Sequence, residues 1–479
     1  MSHKKNRSTK IVATLGPACD SPEMIDRLIK QGVNLFRLNF SHGSAEQHRQ
    51  HVKHIRDAAH SNGLRVGILQ DLQGPKIRVG RFAEGIVTLK PGQQFELRCN
   101  DNQPGDARGV SISHAGLCAD MAPGDIILLD DGKIRLQVIE SRSDKLITTV
   151  QVGGPLSNNK GINVPDANLS LAAMTEKDIE DLALGAQLGV DWVALSFVRH
   201  VDDLKLARHY LNLRQSDAKL MAKIEKPSAV NHFRDILKEA DGIMVARGDL
   251  GVELSPEKVP MIQKKLIRQC REAGKPVITA TQMLESMVDS PVPTRAEAND
   301  VANAIYDGTD AIMLSAETAV GKYPVEAIQV MNKIALSVEQ DPDFQLHMQE
   351  RPLTVETNTP DAVSSAATHI SRTLDARVLV CFSSSGATAL RVSRFRMPTP
   401  VTAISPHEKT CNQLTLSWGV QPVLTEDAHN TEEMVDIAQR VIHQHKLAEV
   451  GDRFVITAGV PFGTSGTTNL LRVERLKAQ

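Results

Sequence analysis

Eight short apolar runs alternate with amphipathic stretches through the first two thirds of the sequence, and this rhythm restricts the fold more than any other feature. The runs are KIVATLG (10–16), NLFRLNF (34–40), RVGILQDL (65–72), DWVALSFV (191–198), LMAKIE (220–225), GIMVAR (242–247), PVITATQM (276–283) and AIMLSAE (311–317). Apolar strands that alternate with helices indicate a parallel sheet covered by helices, and eight such units are what a closed (β/α)8 TIM barrel requires. A doubly wound open sheet is the alternative.

Polar side chains follow nearly every run at its carboxyl end. They are Arg37, Asn39, Ser41, Asp71, Ser196, Lys223, Glu225, Arg247, Asp249, Thr281, Ser315 and Glu317. The carboxyl ends of barrel strands meet on one face, where the active site of this fold lies. Because a doubly wound sheet rarely carries polar residues at so many strand ends, the pattern favours the barrel and predicts an active site at its mouth.

Lys223 and Glu225 stand two residues apart on one predicted strand, so they share a face, although a surface ion pair is the plainer interpretation. Glu225 and Asp249 end neighbouring strands, and two carboxylates with substrate oxygens and water suit Mg²⁺. Asp249 could instead cap the next helix. Arg37, Lys223 and Arg247 add positive charge, and such cations together with Mg²⁺ are what a transferring phosphoryl group needs.

An insertion interrupts the rhythm, because more than a hundred residues separate the third run from the fourth. Its apolar and polar residues alternate, and PG, PGD and DDG turns interrupt them. This pattern predicts a small β-barrel domain over residues 74–164, which is placed to act as a lid. The barrel domain then comprises residues 1–73 and 165–345. A polar, proline-punctuated linker is expected over 341–360, and residues 346–479 predict a C-terminal open α/β domain of about five strands.

Two loops of this last domain are rich in serine and glycine: SSSGAT (383–388) and GTSGTT (463–468). Backbone N–H groups and hydroxyls at such loops suit phosphate, although either loop alone is typical of an ordinary tight turn. Together they predict a site for a phosphorylated effector. Its candidate residues are Ser383, Ser384, Ser385, Gly386, Thr388, Gly463, Thr464 and Ser465.

Composition argues against several classes of partner. Lys and Arg number 55 against 57 Asp and Glu, and aromatic residues make up 3%, so neither a nucleic-acid surface nor a base-stacking surface is indicated. Six scattered cysteines without CxxC spacing predict neither disulfides nor a zinc site and fit a reducing cytoplasm. No apolar run approaches the roughly 18 residues of a membrane span. We therefore expect a cytoplasmic protein without nucleic-acid or membrane partners.

Two smaller patterns have structural explanations. His48, His51 and His54 recur every third residue, which predicts a solvated helix face because no carboxylate completes a metal-ligand spacing. Thr294 and Glu297 form a capping box that predicts the start of a helix.

Several strings in the sequence resemble one known family. They are TKIVATLGP, RLNFSHG, QGPKIRVG, NNKGIN, AKIEKP, DGIMVARGDLGVEL, KPVITATQMLESM and PTRAEANDVANAIYDGTDAIMLSAETAVGKYP. In this order, from Thr9 to Pro324, they resemble pyruvate kinases, and the likeness continues more weakly into the C-terminal domain. The resemblance implies a barrel with a β-lid and an effector domain in a homotetramer. It also implies phosphoryl transfer from phosphoenolpyruvate to ADP, which gives pyruvate and ATP.

The resemblance also implies a role for each residue at the barrel mouth. Lys223 would neutralise the phosphoryl group and the developing enolate, while Glu225 and Asp249 would hold Mg²⁺ or Mn²⁺. Gly248, Asp249 and Thr281 would orient the substrate, with Thr281 near the carbon that takes the proton. Lys223 and Glu225 are thus expected to act on one phosphoryl group and not to pair with each other.

The remaining implied contacts concern phosphate, nucleotide and proton transfer. Arg37 would bind phosphate. Ser315 and Glu317 would join a proton relay or serve the structure alone. The nucleotide would be contacted by Asn39, His42, Arg78 and Lys160, so closure of the lid would complete the site.

Two positions depart from the family pattern. Asn39, Ser41, Asp71 and the Leu72 carbonyl match the ligands of K⁺, but GPKIR carries Lys76 where relatives that require K⁺ carry glutamate. A lysine ammonium can supply the monovalent charge, so we expect K⁺ to bind weakly or to be dispensable. SSSGAT has Ala387 where many relatives have arginine, which favours a sugar monophosphate or AMP over fructose 1,6-bisphosphate as effector.

Two other functions compete with the kinase. A Mg²⁺-dependent barrel aldolase or lyase would use the same carboxylate pair, but it gives no reason for the lid or for Lys223 beside the metal. A metabolite sensor that had lost the chemistry would be expected to lack one of Lys223, Glu225, Asp249 and Thr281, and all four are present.

Overall fold

The computed structural model describes residues 7–101, 103–165, 170–350, 353–461 and 466–478, with elements numbered along the whole chain. All eight predicted barrel strands are present: β1 (Lys10–Thr14), β2 (Leu35–Asn39), β3 (Gly67–Asp71), β12 (Trp192–Leu195), β13 (Lys219–Ile224), β14 (Gly242–Ala246), β15 (Val277–Ala280) and β16 (Ala311–Leu314). They close into a parallel barrel in the order β1-β16-β15-β14-β13-β12-β3-β2. The predicted barrel is therefore confirmed.

Most strands end earlier than the apolar runs do, because the last residues of the runs turn out of the sheet. Glu225, for example, follows directly after β13. The polar side chains at the barrel mouth come both from the last residues of the strands, such as Arg37, Asp71 and Lys223, and from the residues that follow them, such as Glu225.

Helices follow the barrel strands, and most of them cover the outside of the barrel. They are α1 (Pro22–Lys30), α2 (Ala45–Ser61), α4 (Glu176–Leu188), α5 (Val201–Leu213), α6 (Pro227–Asn231), α7 (Phe233–Glu239), α8 (Arg247–Glu253), α9 (Val259–Ala273), α10 (Arg295–Tyr306), α11 (Ala316–Ala319), α12 (Pro324–Gln340) and α13 (Pro342–Glu350). The capping box of Thr294 and Glu297 opens α10 as predicted. Within the described part of the chain, no helix is long and apolar enough to cross a membrane.

The histidines of α2 differ from their prediction. His48 is buried and stacks on Phe40 with ring centroids 3.9 Å apart, while its Nε2 lies 3.1 Å from the His42 carbonyl oxygen. Burial, with His51 adding to it, lowers the pKa of His48 to about 4. The prediction of a solvated face is wrong for this residue because its ring packs against the end of the second barrel strand.

The insertion between β3 and β12 is a β domain with its own apolar core. Its elements are β4 (Ile86–Leu89), β5 (Gln94–Arg98), β6 (Gly109–Ser111), α3 (Leu117–Asp120), β7 (Ile126–Leu129), β8 (Ile134–Ser141), β9 (Lys145–Val152), β10 (Gly154–Ser157) and β11 (Ile162–Asn163). Six strands form one sheet in the order β11-β7-β8-β9-β5-β6, and β10 pairs with β4. We call this domain the lid.

A disulfide joins Cys99 to Cys118 in the core of the lid. The expectation of unpaired cysteines is therefore wrong for these two. They are 19 residues apart in the sequence, and only the fold of the lid brings their Cα atoms to 6.4 Å.

Two hinge strands connect the lid to the barrel. We call residues 74–78 the outgoing strand and residues 160–165 the returning strand, and the two pair through a bridge between Arg78 and Gly161. Gly74 has φ of +70°, and a Cβ there would lie 2.8 Å from the Phe197 ring. Glycine is needed at this point because the chain turns tightly against the barrel loop as it leaves.

The C-terminal domain is an open α/β sheet of five strands, as predicted. Its elements are α14 (Thr359–Thr373), β17 (Val378–Phe382), α15 (Ala387–Ser393), β18 (Val401–Ser405), α16 (Glu408–Leu414), β19 (Val420–Leu424), α17 (Thr431–Gln444), β20 (Arg453–Gly459) and β21 (Thr468–Arg475). The strand order is β19-β18-β17-β20-β21, with β21 antiparallel. Part of the predicted linker is instead the helix α13, since Phe344 anchors it in the barrel core.

The C-terminal domain also seals the base of the barrel. Leu416 packs into the apolar interior of the barrel strands. Arg396 is buried in an ion pair with Asp310, 2.7 Å apart, at the start of β16. Lys10 donates a hydrogen bond of 2.7 Å to the Val420 carbonyl, and burial lowers its pKa to about 7. The base is thus closed by protein, and the opposite end remains for chemistry.

Candidate active site

Lys223 lies at the centre of the barrel mouth and is mostly enclosed, with 12% of its side chain exposed. Its Nζ donates to Ser196 Oγ at 2.7 Å and lies 2.9 Å from Glu225 Oε1 and 3.2 Å from Asp71 Oδ1. Burial alone would lower the pKa of Lys223, but Asp71 and Glu225 outweigh it and raise that pKa above its ordinary value. The residue therefore presents a fixed ammonium group.

The contact between Lys223 and Glu225 corrects one expectation. The two were expected not to pair with each other, and they form an ion pair. Both side chains leave the same face near the end of β13, and both are long enough to meet across that short interval. The ion pair does not exclude roles for both groups toward one substrate, because each faces the barrel mouth.

Arg37 and Asp71 extend this cluster across the neighbouring strands. Arg37 Nε donates to Asp71 Oδ2 at 2.6 Å, and its Nη1 donates to Thr14 Oγ1 at 3.2 Å. Burial would raise the pKa of Asp71, but Lys223 and Arg37 together lower it, so the carboxylate stays ionised. The four side chains alternate in charge along a row: Arg37, Asp71, Lys223 and Glu225. This network fixes the positions of the Arg37 guanidinium and the Lys223 ammonium.

Glu225 and Asp249 are the two carboxylates predicted to hold a divalent metal. Glu225 is buried and its Oε2 accepts a hydrogen bond of 2.7 Å from the Phe197 N–H, whereas its Oε1 has no well-aligned donor among the described residues. Asp249 is partly exposed in the first turn of α8, where Ala246 and not Asp249 is the N-cap residue. The capping alternative for Asp249 is therefore wrong.

These two carboxylates fit a divalent cation. Burial raises the pKa of Glu225, and the nearby carboxylate of Asp249 adds to the rise, although Lys223 opposes it. The space between the two carboxylates therefore favours an additional positive charge. The described residues contain no group of three or more His, Cys, Asp or Glu arranged to hold a metal. A cation here would need substrate oxygens and water to complete its coordination, which is the usual arrangement for Mg²⁺.

Thr281 sits just beyond β15 in a left-handed backbone conformation, with φ of +67°. Its Oγ1 accepts a hydrogen bond of 2.7 Å from the Gly248 N–H. Arg247 donates to the Thr281 carbonyl at 2.7 Å and pairs with Asp300 at 2.7 Å, so it braces this turn. The sequence interpretation counted Arg247 among the cations near the substrate, but its contacts hold Thr281 in a conformation that costs about 1–3 kcal/mol.

Comparison with known proteins decides the family. A model of the pyruvate kinase barrel domain matches residues 6–328, and a model of the pyruvate kinase alpha/beta domain matches residues 361–474. The chain belongs to the pyruvate kinase family. It is therefore a phosphotransferase, as the sequence predicted.

Similar proteins span the whole chain. A pyruvate kinase of Agrobacterium vitis is 46% identical over 99% of this chain and 98% of its own length. Pyruvate kinase 2 of Synechocystis sp. is 47% identical over 98% of this chain and 80% of its own length. A crystal structure of a pyruvate kinase from Cryptosporidium parvum superposes with a TM-score of 0.91 at 33% identity, covering 98% of this chain and 96% of that one.

The candidate nucleotide contacts of this chain come from the hinge strands of the lid and from the barrel. Arg78 and Lys160 lie on the paired hinge strands, where Arg78 Nη1 donates to the Asn159 carbonyl at 3.0 Å and Lys160 Nζ lies 2.7 Å from Asp130 Oδ1. Asn39 and the exposed His42 belong to the barrel. Their role as nucleotide ligands stays a prediction.

The candidate K⁺ ligands gather at the ends of β2 and β3. The Leu72 carbonyl accepts a hydrogen bond of 2.7 Å from Ser196, Asn39 Oδ1 accepts one of 3.1 Å from the Ser41 N–H, and Asp71 is held by Arg37 and Lys223. Lys76 extends from the outgoing strand to place its Nζ 3.7 Å from Asp249 Oδ1. A protein ammonium thus stands beside the candidate metal site.

Sequence reasoning assigned no role to two residues that organise the site. Ser196 bridges Lys223 and the Leu72 carbonyl, and the Phe197 N–H holds Glu225. Ser196 was visible as a polar strand end, but the φ of +56° that turns the Phe197 N–H toward Glu225 has no signal in the sequence.

Glu317 holds two backbone N–H groups near the ends of the last two barrel strands. Its two oxygens accept hydrogen bonds from the Ser315 N–H at 2.7 Å and the Leu284 N–H at 3.0 Å. These contacts favour the structural alternative over the proton relay for Glu317, whereas the role of the Ser315 hydroxyl stays a prediction.

The effector loops of the C-terminal domain lie side by side. Thr388 Oγ1 and Thr468 Oγ1 are 2.7 Å apart, Ser383 Oγ accepts from the Thr388 N–H at 3.4 Å, and the Ser384 carbonyl accepts from Thr410 at 2.8 Å. Gly463, Thr464 and Ser465 lie outside the described residues. The proximity supports a shared site, which is still a prediction.

Proposed function

We propose that this member of the pyruvate kinase family transfers the phosphoryl group of phosphoenolpyruvate to ADP, giving pyruvate and ATP. The observation that carries the proposal is the ammonium of Lys223, fixed at the barrel mouth by Ser196, Asp71 and Glu225. The phosphoryl group carries negative charge throughout this transfer, and further negative charge develops on the enolate oxygen. A preorganised cation at that position lowers the barrier without any nucleophile from the protein.

Arg37, Thr281 and Gly248 are proposed to place the substrate. Arg37 is oriented by Asp71 and Thr14, so its guanidinium can bind phosphate without further ordering. Thr281 and Gly248 are already joined by a hydrogen bond, and Thr281 is proposed to lie near the carbon of the enolate that takes a proton. The bond from phosphorus to the enol oxygen breaks as the bond to the terminal oxygen of ADP forms, and a proton converts the enolate to pyruvate.

Glu225 and Asp249 are proposed to hold Mg²⁺ or Mn²⁺. When bound, such a cation would neutralise charge on the phosphoryl oxygens. Lys76 is proposed to supply the monovalent charge that relatives obtain from K⁺, with Asn39, Ser41, Asp71 and Leu72 as K⁺ ligands if that ion binds at all.

Production of pyruvate tests the central proposal. With phosphoenolpyruvate, ADP and Mg²⁺, the protein is expected to form pyruvate and ATP in equal amounts, and omission of ADP should stop the reaction. Equal pyruvate formation without ADP would reject the kinase in favour of a lyase. Absence of turnover under all conditions, including with candidate effectors, would favour a sensor.

A cavity of about 260 Å³ lies between the barrel base and the C-terminal domain, and both cationic and acidic side chains line it. Ser385 and Ala387 of the first effector loop and Arg391 line it. Arg391 Nη1 is buried without a hydrogen-bond acceptor among the described residues. Because a guanidinium with an unfilled donor suits phosphate oxygens, we propose that a sugar monophosphate or AMP binds at this loop.

Activation by metabolites tests this site. At low phosphoenolpyruvate, a monophosphate is expected to increase the rate severalfold, and Arg391→Ala should lose that activation. Arg377→Ala removes an exposed arginine of the same domain, which pairs with Asp452, and should retain it. Activation by fructose 1,6-bisphosphate alone would contradict the proposed class of effector, and full activation of Arg391→Ala would contradict the site.

We also propose that the chain is a cytoplasmic homotetramer, as the family resemblance implies. The native mass in solution tests the assembly.

A further inference from the structure

Helix α8 carries two carboxylates one turn apart, and each contacts a different hinge strand of the lid. Asp249, the proposed metal ligand, lies 3.7 Å from Lys76 on the outgoing strand. Glu253, at the end of the helix, accepts a hydrogen bond of 2.8 Å from Asn163 Nδ2 on the returning strand. The helix that presents the metal ligand is therefore tied to both connections of the lid.

Glu253 is buried, with 1% of its side chain exposed, although it is not among the groups assigned to the substrate or the metal. Its partners are Asn163 and Lys226, and Lys226 directly follows Glu225. A buried carboxylate is costly unless it is paired and hydrogen-bonded. Its three-way contact joins both proposed metal-binding segments to the lid.

The returning strand is part of the lid sheet and also contacts the outgoing strand. Asn163 lies in β11 and pairs with Leu128 of the lid sheet, and Lys160 stands three residues before it. The two strands also contact each other, because Lys76 Cε lies 3.2 Å from the position of a Cβ on Gly161. Movement of the returning strand therefore moves the candidate nucleotide contacts.

On the side that faces Glu253, polar links cross a cavity between the hinge and the barrel. A cavity of about 340 Å³ lies between the hinge strands and the barrel loops, and Lys76, Asn163, Lys226 and Glu253 all line it. The hinge strands have room to shift on that side if a link is lost. The returning strand is linked to α8 by the hydrogen bond from Asn163 to Glu253.

We propose that Glu253 is a positioning residue, which couples occupation of the metal site to the position of the lid through Asn163. A cation that is coordinated by Asp249 and Glu225 moves α8 and the end of β13. Because Glu253 lies on α8 and is hydrogen-bonded to Asn163, the returning strand moves with it. The inference rests on the proposed metal role of Glu225 and Asp249. It adds a residue outside the site that sets where the lid places the nucleotide.

Hydrogen exchange in the substrate-free protein, with Mn²⁺ alone as the ligand, tests this coupling. In the wild type, Mn²⁺ should slow exchange in both hinge strands. In Asn163→Ala, Mn²⁺ should bind with an affinity within about twofold of wild type and still slow residues 74–77, but slowing of residues 161–165 should be lost. Asn62→Ala is the matched control, because it removes an asparagine side chain that bonds Asp26 on the outer barrel, and it should behave as wild type.

Steady-state kinetics provide a second readout. Asn163→Ala should raise the KM for ADP about fivefold, the scale of losing one ordinary intramolecular hydrogen bond, while the KM for phosphoenolpyruvate changes less than twofold. Glu253→Gln keeps an oxygen that can accept from Asn163 and should retain the ADP KM better than Glu253→Ala does.

The outcomes separate this inference from the proposed function. A wild type that neither binds Mn²⁺ nor forms pyruvate would reject the proposed function. A wild type that does both, beside an Asn163→Ala protein whose residues 161–165 still respond to Mn²⁺, would reject the coupling alone. Faster exchange spread evenly over β8 and β9 in that variant would also reject it, because it would show a general role in lid folding.

Discussion

Lys223→Met is expected to lower kcat by at least about a thousandfold, which is the scale for loss of a cation that stabilises a transferring phosphoryl group. The side chain is held by Ser196, Asp71 and Glu225 before any substrate binds, so the protein has already met the cost of orienting it. Methionine fills a similar volume without the charge. Turnover of phosphoenolpyruvate and ADP at saturating concentrations measures the effect.

Binding of Mn²⁺ distinguishes the role of Lys223 from that of the metal ligands. Glu225 loses an ion-pair partner in the variant, so its affinity for a cation should be unchanged or higher. Stability should fall, because removal of one member of a buried ion pair costs roughly 3–5 kcal/mol, although Arg37 still pairs with Asp71. An unchanged circular dichroism spectrum therefore serves as the check that the variant is folded, so that Mn²⁺ binding can be measured independently of folding.

Lys264→Met is a matched control for this substitution. Lys264 forms an ion pair with Asp307 on the outside of the barrel, away from the mouth, and its loss should leave kcat within about twofold of wild type. Near-normal turnover of a folded Lys223→Met protein would overturn the role assigned to Lys223. Loss of Mn²⁺ binding along with turnover would transfer its role from the phosphoryl group to the metal site.

The barrel could be predicted from the sequence because its determinants are local. Each strand is an apolar run with a polar end, and closure of eight parallel strands brings those ends together whatever the details of the loops. Arg37, Asp71, Lys223 and Glu225 were found in this way, and the structure places them in one row of contacts. The inserted lid was equally visible, because no ordinary loop has its length or its alternation.

The errors concern contacts that depend on the directions of side chains. Lys223 and Glu225 share a face, but whether two such groups meet depends on rotamers that the sequence does not specify. Arg247 stands at a strand end like the others, yet its side chain turns to the Thr281 carbonyl and Asp300 and so braces the site. The left-handed turns at Phe197 and Thr281 are set by the surrounding packing and also lack a sequence signal.

The remaining errors arise from distant packing. His48 stacks on Phe40 although its neighbours in the helix are polar, and Cys99 meets Cys118 only within the folded lid. Glu253 was passed over because its role depends on Asn163, which lies 90 residues earlier in the sequence and returns to the barrel only after the whole lid.

Lys76→Glu is expected to make the enzyme dependent on K⁺. In the wild type, the ammonium of Lys76 lies 3.7 Å from Asp249 and supplies a fixed positive charge, so activity in K⁺-free buffer should remain within about twofold of that in K⁺. Glutamate would remove this charge and place a second carboxylate beside Asp249. Two units of charge change near the transferring phosphoryl group should lower turnover in K⁺-free buffer about a hundredfold or more.

Addition of K⁺ should restore most of the activity of Lys76→Glu, because a bound monovalent cation returns the missing charge and the glutamate favours its binding. Lys76→Met separates the two effects: it loses the ammonium without gaining a carboxylate, so its activity should fall and respond only weakly to K⁺. Rates measured in potassium and in tetramethylammonium buffers at equal ionic strength make the comparison. Wild-type activity that disappears without K⁺ and returns with it would show that Lys76 does not replace the ion, and the charge beside Asp249 would then need another explanation.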